Sequence, residues 1–159
     1  MTDFRIGFGY DFHRLIKGDY LLLGGVKIKS KFSIDAHSDG DIILHALSDA
    51  IYGSLAKDDI GTHFPSTDNN HGIASQEIIK HAYNLLKEDS YIINNIDITL
   101  VLETPKLQEY IREIRSNISF LLNIEADRVS IKSSTSQKIG IIGESKAIAC
   151  YATILINHE

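Results

Sequence analysis

One aspartate and two histidines could hold a metal ion in this chain. Asp11 and His13 lie two residues apart in a strand-like run over residues 4–13. Side chains two apart in a strand project from the same face, so both can reach one point. A further histidine, His45, lies in a segment with helical periodicity and could be the third ligand. Three ligands with an open fourth position are more typical of a catalytic metal site than of a structural zinc module.

His45 shares one face of a predicted helix with two carboxylates. The helix is predicted over residues 39–56, with Ser38 as its N-cap. Asp41, His45 and Asp49 are spaced four apart, so they line one face. A lone histidine there is more often a surface or capping residue. A metal-bound histidine, however, commonly donates its other ring nitrogen to an acceptor, and we predict that Asp49 orients His45 in this way.

Two glycines, Gly7 and Gly9, interrupt the first strand-like run. A Gly-x-Gly pair after a strand can begin a dinucleotide-binding fingerprint. Here the third glycine is missing and no helical pattern follows directly. The glycines instead predict a bulge or a close backbone approach beside the metal ligands.

The remaining periodicities predict an α+β fold with a small sheet and helices packed on one face. A sheet covered on one side needs a use for its other face, and subunit association would provide one. Polar loops are predicted at 29–35 and 57–70, the longer being either a functional loop or a solvated connection. The predicted strands are 4–12, a hairpin of 20–23 with 26–28, 91–103, 128–133 and 147–156, and the further helices are 73–87 and 105–122.

Composition narrows the function classes. The chain has 159 residues, 43% of them hydrophobic and 23% charged, which predicts one globular domain over residues 1–159. A formal net charge of −5 offers no cationic excess for nucleic acid. Cys150 is the only cysteine, which excludes an intramolecular disulfide and a Cys-rich zinc site and favours a buried packing role. Neither a signal peptide nor a membrane-length apolar run is present, so we expect a cytoplasmic protein without a membrane partner.

Two long motifs resemble a known family. Residues 5–13, RIGFGYDFH, and residues 36–68, AHSDGDIILHALSDAIYGSLAKDDIGTHFPSTD, resemble signatures of the 2-C-methyl-D-erythritol 2,4-cyclodiphosphate synthases of the non-mevalonate isoprenoid pathway. The segments 105–107 and 134–140 also match in place. The resemblance implies conversion of 4-diphosphocytidyl-2-C-methyl-D-erythritol 2-phosphate to the cyclic diphosphate and CMP. It also implies a homotrimer with active sites between subunits.

The resemblance further implies roles for individual residues. Asp11, His13 and His45 match ligands of Zn²⁺ or another divalent cation, and His37 and Thr135 match residues that stabilise the transition state. Residues 59–61 and 64–68 match the part that holds methylerythritol, 102–108 the cytidine diphosphate pocket, and 134–137 the neighbouring edge. The implied substrate contacts are Asp11, His13, His37, Ser38, Asp59, Ile60, Gly61, Phe64, Pro65, Ser66, Thr67, Asp68, Leu102, Pro105, Lys106, Leu107, Gln108, Ser134, Thr135, Ser136, Gln137, Ile141 and Glu144.

Three positions depart from the family pattern. Gln137 replaces a glutamate that binds a second divalent ion, Mg²⁺ or Mn²⁺, at the substrate diphosphate. A neutral amide supplies a carbonyl but no charge, so we predict weaker binding of this second ion. Glu144 stands where arginine is common, and Ile141 replaces a frequent phenylalanine. These changes affect the diphosphate site and leave the zinc ligands intact.

Two alternative functions remain compatible with the residues alone. A zinc-dependent phosphoester hydrolase could use the same three ligands with water as nucleophile. A non-catalytic homologue could keep the fold and the metal after losing turnover through Gln137 and Glu144. The synthase needs no protein nucleophile, because the substrate carries its own phosphate. Release of CMP together with a cyclic product would distinguish the synthase from both alternatives.

Overall fold

The computed structural model describes residues 3–65 and 72–158. Strands and helices alternate irregularly along the chain. In chain order the elements are β1 Phe4–Lys17, β2 Tyr20–Leu23, β3 Val26–Lys29, β4 Phe32–Asp35, α1 Ile42–Ser54, α2 Ile60–His63, α3 Ser75–Glu88, β5 Tyr91–Val101, α4 Ile111–Leu121, a 3₁₀ turn Ala126–Arg128, β6 Val129–Ser134, α5 Gly140–Gly143 and β7 Ala147–His158.

Five strands form one mixed sheet in the order β4-β1-β7-β5-β6. The long strands β1 and β7 pair antiparallel from Phe4↔Asn157 to Arg14↔Ala147. β5 is antiparallel to β7 but parallel to β6, and α4 lies in the connection between β5 and β6. The strands β2 and β3 form a separate hairpin, as their alternation predicts.

The helices cover one face of the sheet. α1 packs against β1 and β7, α3 lies beside α1, and α4 packs against β6. The core side of α1 includes Leu44, Leu47 and Ile51, all fully buried. The other face of β1 exposes alternate large side chains, of which Ile6 is 72% and Phe8 61% exposed. The predicted α+β fold, with a mixed sheet and helices on one face, is therefore confirmed.

Gly7 and Gly9 allow β1 to lie against the backbone of α1. A Cβ added to Gly9 would stand 1.8 Å from the carbonyl oxygen of Ala46, and one on Gly7 would stand 1.8 Å from that of Ala50. No side chain fits at such distances, so the predicted close approach is confirmed. This close approach brings the C-terminal half of β1, which carries Asp11 and His13, next to α1, which carries His45.

Two predicted loops contain regular structure. Residues 32–35 form β4, because β1 continues to Lys17 and offers a free edge with the register Arg14↔Asp35 to Lys17↔Phe32. The predicted loop 57–70 contains the short helix α2, capped by the carboxylate of Asp59. β4 depends on a partner strand distant in sequence, and the start of α2 is also held by the bond from Ile60 N to Asp49 in α1. Local periodicity reveals neither contact.

Two predicted helix starts are corrected. α1 begins at Ile42 and not at residue 39, because the Asp41 side chain caps it by accepting from Leu44 N. Ser38 is therefore not the N-cap. The helix predicted from Pro105 begins only at Ile111, and residues 105–108 instead line a cleft with the end of β6.

The structure also bears on Cys150 and on membrane contact. Cys150 is fully buried in β7 with its thiol unpaired, as expected of a packing residue. Within residues 3–65 and 72–158, every helix is too short or too polar to cross a membrane.

Candidate active site

Asp11, His13 and His45 meet at one point between β1 and α1. Their ligand atoms all lie within 4.8 Å of one another. Asp11 Oδ1 is 3.2 Å from His13 Nδ1, and Asp11 Oδ2 is 3.1 Å from His45 Nδ1. The carboxylate thus stands between two imidazole nitrogens. The structure brings together the three residues that the sequence predicts as metal ligands.

This donor set fits a divalent cation. His13 Nδ1 is buried beside the Asp11 carboxylate, so one nitrogen of each histidine and a carboxylate oxygen are directed at the same point. Burial raises the pKa of Asp11, but hydrogen bonds and charges from His13 and His45 outweigh it and bring the pKa to about 2. An ionised carboxylate and two imidazole nitrogens are preferred ligands of Zn²⁺. Three such ligands leave a coordination position for a substrate oxygen.

The other ring nitrogen of His45 contacts two serine hydroxyls. His45 Nε2 lies 2.9 Å from Ser75 Oγ and 3.2 Å from Ser38 Oγ. Asp49 Oδ1 instead accepts a hydrogen bond from Ile60 N at 2.9 Å. Both nitrogens of His45 therefore contact groups other than Asp49, which corrects the predicted pairing. Burial raises the pKa of Asp49, and the bond from Ile60 opposes that rise.

The loop that carries His37 and Ser38 is attached to the start of α3. His37 O accepts from Gly72 N at 2.8 Å, and Asp39 N, two residues later, donates to Ile73 O at 3.3 Å. Ser38 Oγ also accepts from Gly40 N at 3.1 Å, which fixes the turn before α1. These bonds place the Ser38 hydroxyl beside the metal ligands.

The predicted methylerythritol segment surrounds α2. Asp59 Oδ1 accepts from Thr62 N at 2.9 Å, and the Asp49 bond to Ile60 N fixes the start of the helix to α1. Gly61 lies within α2, and Phe64 ends it with its ring 5.2 Å edge-on from that of His81. Pro65 follows at the end of the first described range. Ser66, Thr67 and Asp68 lie outside the described residues.

A cleft of about 310 Å³ brings together two segments that the resemblance assigns to the nucleotide. One segment lies after β5 and the other at the end of β6. The lining residues are Leu102, Glu103, Pro105, Lys106, Leu107, Gln108, Ser133, Ser134 and Thr135. The cleft has both a buried apolar wall, at Leu102 and Leu107, and a cationic side chain at its rim.

Glu103 organises this cleft and was missed by sequence reasoning. Its Oε1 accepts from Ser136 N at 2.9 Å, Ser136 Oγ at 3.2 Å and Lys138 N at 3.2 Å. The carboxylate thereby ties the loop after β5 to the loop after β6. The sequence gives no local signal for this contact, since the partners are more than 30 positions apart.

The three departures from the family pattern lie on the surface after β6. Gln137 N and Gln137 Nε2 both donate to Thr135 Oγ1 at 3.3 Å. Glu144 pairs with Lys146 at 2.5 Å, and both side chains are exposed. Ile141 is 54% exposed and lines a separate cavity of about 590 Å³ together with Phe12. Ile141 and Glu144 are thus outside the lining of the nucleotide cleft.

The metal ligands and the cleft lie at the same level of the sheet. Asp11 pairs with Cys150, Cys150 with Leu100, and Leu100 with Ser133. Three strand spacings of about 4.8 Å separate the backbones of Asp11 and Ser133 by about 14 Å. A substrate that contacts both the metal ligands and the cleft would have to span this distance within one chain. Otherwise it would contact the cleft of a second copy of the chain.

Comparisons with known proteins agree with the geometry. The YgbB family model matches residues 4–157. The chain is 43% identical to the 2-C-methyl-D-erythritol 2,4-cyclodiphosphate synthase of Ectopseudomonas mendocina, over 96% of this chain and 98% of the relative. It is similar to the CDP complex of IspF from Plasmodium falciparum, with a TM-score of 0.89, 40% identity, and coverage of 100% of this chain and 99% of that one.

The bifunctional IspDF of Campylobacter jejuni is also similar in structure. Its TM-score is 0.95 at 34% identity, covering 100% of this chain and 43% of the longer protein. The likeness therefore extends over the whole chain in both sequence and structure. On these matches, this chain belongs to the YgbB family.

Proposed function

We infer that this chain forms 2-C-methyl-D-erythritol 2,4-cyclodiphosphate in the non-mevalonate isoprenoid pathway, as a phosphorus–oxygen lyase. The observation that carries this inference is the 43% identity to a synthase of that name over nearly the full length of both chains. The grouping of Asp11, His13 and His45 supplies a site suited to phosphate chemistry. The comparisons do not favour a phosphoester hydrolase or a non-catalytic homologue.

The reaction is an intramolecular phosphoryl transfer. The substrate is 4-diphosphocytidyl-2-C-methyl-D-erythritol 2-phosphate. An oxygen of its 2-phosphate forms a bond to the phosphorus nearer the sugar, the bond from that phosphorus to the CMP oxygen breaks, and CMP leaves. Both reacting groups are anionic, so charge neutralisation and alignment are the main tasks of the protein. Holding both ends of one molecule can contribute about 7–11 kcal/mol at best.

We propose that Asp11, His13 and His45 hold Zn²⁺ or another divalent cation. When bound, the ion supplies positive charge that attracts and polarises a substrate phosphate. His37 and Thr135 donate hydrogen bonds to the phosphoryl oxygens as negative charge develops there. The carbonyl oxygen of Gln137 is available to a Mg²⁺ or Mn²⁺ ion accompanying the diphosphate, with less attraction than a carboxylate would give.

Substrate contacts are proposed at both ends of the site. The cleft between residues 102–108 and 133–135 is suited to the cytidine diphosphate, with Lys106 facing the phosphates. A relative of this fold is known as a CDP complex, which supports a cytidine ligand. Ser136 extends that edge, and residues 59–61 and 64–68 hold the methylerythritol part.

We further propose a cytoplasmic homotrimer of single-domain chains with active sites between subunits. The uncovered face of the sheet supports association, because β1 exposes the large apolar side chains Phe4, Ile6, Phe8 and Tyr10. The spacing of about 14 Å between the backbones of Asp11 and Ser133 is also compatible with one substrate contacting two subunits.

Incubation with the cytidylated substrate tests the activity. Chromatography should show equal amounts of CMP and cyclic diphosphate, and removal of divalent ions with a chelator should abolish both. Inorganic phosphate or a linear product would indicate the hydrolase instead. Zinc binding without any CMP would indicate the non-catalytic homologue. Sedimentation of the purified chain would test the trimer separately.

A further inference from the structure

A chain of hydrogen bonds extends from His45 away from the metal ligands. Ser75 Oγ lies 2.9 Å from His45 Nε2 and donates a hydrogen bond to Asp39 Oδ1. Ser75 is the first residue of α3 and is fully buried. The three side chains come from α1, α3 and the loop before α1, so the contact depends on the tertiary fold.

The hydroxyl of Ser75 has one proton for two neighbours. Asp39 Oδ1 accepts from Ser75 Oγ, so the Ser75 proton points to Asp39. The lone pairs of Ser75 Oγ are then available to His45, so this contact needs a proton on His45 Nε2. Ser38 Oγ, at the longer distance of 3.2 Å, can accept from the same nitrogen. His45 Nδ1 lies 3.1 Å from Asp11 Oδ2, and a metal ion bound between them would take the place of the proton in that contact.

The carboxylate of Asp39 is itself fixed in this orientation. Its Oδ2 accepts from Ser75 N at 3.0 Å, and its Oδ1 also receives Asp41 N at 3.3 Å. Its own backbone N–H donates to Ile73 O at 3.3 Å. Both carboxylate oxygens thus accept from Ser75: Oδ2 from its backbone N–H and Oδ1 from its hydroxyl.

We propose that Asp39 and Ser75 are positioning residues that fix the orientation and tautomer of His45, with the proton on Nε2 and Nδ1 directed at the metal position. The proposal rests on the metal centre proposed above. Hydrogen-bonded partners of metal-bound histidines set the ring orientation, and their loss typically costs about 10–100-fold in metal affinity.

Two variants separate this role from general packing. Ser75→Ala removes the nearer of the two hydroxyls that face His45 Nε2 and should weaken zinc binding about tenfold. Asp39→Asn keeps the size of the side chain but replaces one accepting oxygen with an NH₂ group that donates. Its carbonyl takes the bond from Ser75 N, so its amide donates to Ser75 Oγ and turns the serine proton toward His45. This favours the wrong tautomer, and zinc affinity should fall further, by about 100-fold.

Ser48→Ala is the matched control. Ser48 is also fully buried, and its hydroxyl donates to Leu44 O at 2.7 Å within α1. The substitution Ser48→Ala deletes a serine hydroxyl, as Ser75→Ala does, at a position one turn from His45 that does not contact its ring. Zinc affinity should therefore stay at the parent value. Affinities would be measured by chelator competition on metal-free protein whose folding has been checked by circular dichroism.

The tautomer can also be read directly. Long-range ¹H–¹⁵N couplings in zinc-loaded protein with ¹⁵N-labelled histidine should place the His45 proton on Nε2. A proton on Nδ1 in the parent would overturn the proposal, even if neither variant folds. Equal zinc affinity of Asp39→Asn and the parent would also overturn it, as would an equal loss in Ser48→Ala and Ser75→Ala. CMP formation by the parent is measured separately, so failure of the proposed activity would be distinguishable.

Discussion

Asp41 accepts a hydrogen bond from the backbone N–H of Gly25 at 2.6 Å, across 16 positions of sequence. The same carboxylate accepts from Gly24 N at 2.8 Å and from Leu44 N at 3.2 Å. It is fully buried. One side chain therefore caps α1 and also holds the turn between β2 and β3 against it. The helix that presents His45 is anchored through this carboxylate.

Replacing Asp41 with alanine should destabilise the fold by about 3–6 kcal/mol, because it removes an N-cap and leaves two further buried N–H groups unsatisfied. Asp59→Ala is the control, since Asp59 also caps a helix but is exposed, and its carboxylate accepts from Thr62 within α2. We expect that control to cost much less, because water can replace the exposed cap. Urea unfolding would measure both, and similar losses would contradict the anchoring role.

The pKa of Asp41 should make the stability of the fold depend on pH. Burial raises the pKa of Asp41 to about 6, although bonds from Gly25, Gly24 and Leu44 oppose the rise. The unfolded chain loses this proton near pH 4, so between about pH 4 and 6 the folded state binds more protons. The stability from Asp41 is therefore greatest below pH 4 and decreases as the pH rises to 6. The difference in unfolding free energy between parent and Asp41→Ala should narrow over that interval, and a constant difference would contradict the assignment.

Gly9→Ala should severely destabilise the protein. The added methyl group would overlap Ala46 O, at 1.8 Å, so β1 and α1 would have to separate. We expect a loss of about 3 kcal/mol or more, with zinc affinity reduced because Asp11 would move away from His45. Gly53→Ala is the control, since its nearest contact would be Phe8 O at 3.9 Å. Helix propensity predicts that this control is neutral or stabilising by up to about 1 kcal/mol. Calorimetric melting temperatures would show the contrast.

The metal ligands could be predicted from sequence because local rules apply to them. The period of two in β1 puts Asp11 and His13 on one side, and the glycine pair indicates close packing beside them. The fold class follows similarly from the periodicity of the longer elements. The resemblance supplies His45 as the third ligand, and the structure brings it within reach.

The partners of those ligands could not be predicted in the same way. The sequence predicts that Asp49 orients His45 because the two residues lie one helical turn apart on the same face. The structure gives it to Ile60, whose N–H lies at the start of α2 and lacks a partner within that helix. The contact of His45 with Ser75 depends on where α3 begins in space, 30 positions later. Strand β4 likewise needs the free edge of β1, which only the assembled sheet shows.

The corrected role of Asp49 predicts a separation of substrate affinity from metal affinity. Asp49→Ala removes the acceptor of Ile60 N and should loosen the segment beginning at Asp59. We expect KM for the substrate to rise about 2–10-fold, the value of one hydrogen bond, with zinc content retained. Asp49→Asn keeps a carbonyl acceptor and should resemble the parent in both. Loss of zinc from Asp49→Asn would instead support the original pairing with His45.

Gln137→Glu should strengthen the dependence on Mg²⁺ or Mn²⁺. In the parent, the Gln137 amide donates to Thr135 Oγ1 at 3.3 Å and brings no charge to the loop. A carboxylate there adds the negative charge that hard divalent cations prefer, and the metal concentration for half-maximal CMP release should fall about tenfold. Gln76→Glu at the start of α3 adds the same charge outside this loop and should leave the titration curve unchanged. If the curve of Gln137→Glu overlays that of the parent, then the neutral amide does not limit binding of the second ion, and the carboxylate is dispensable at this position.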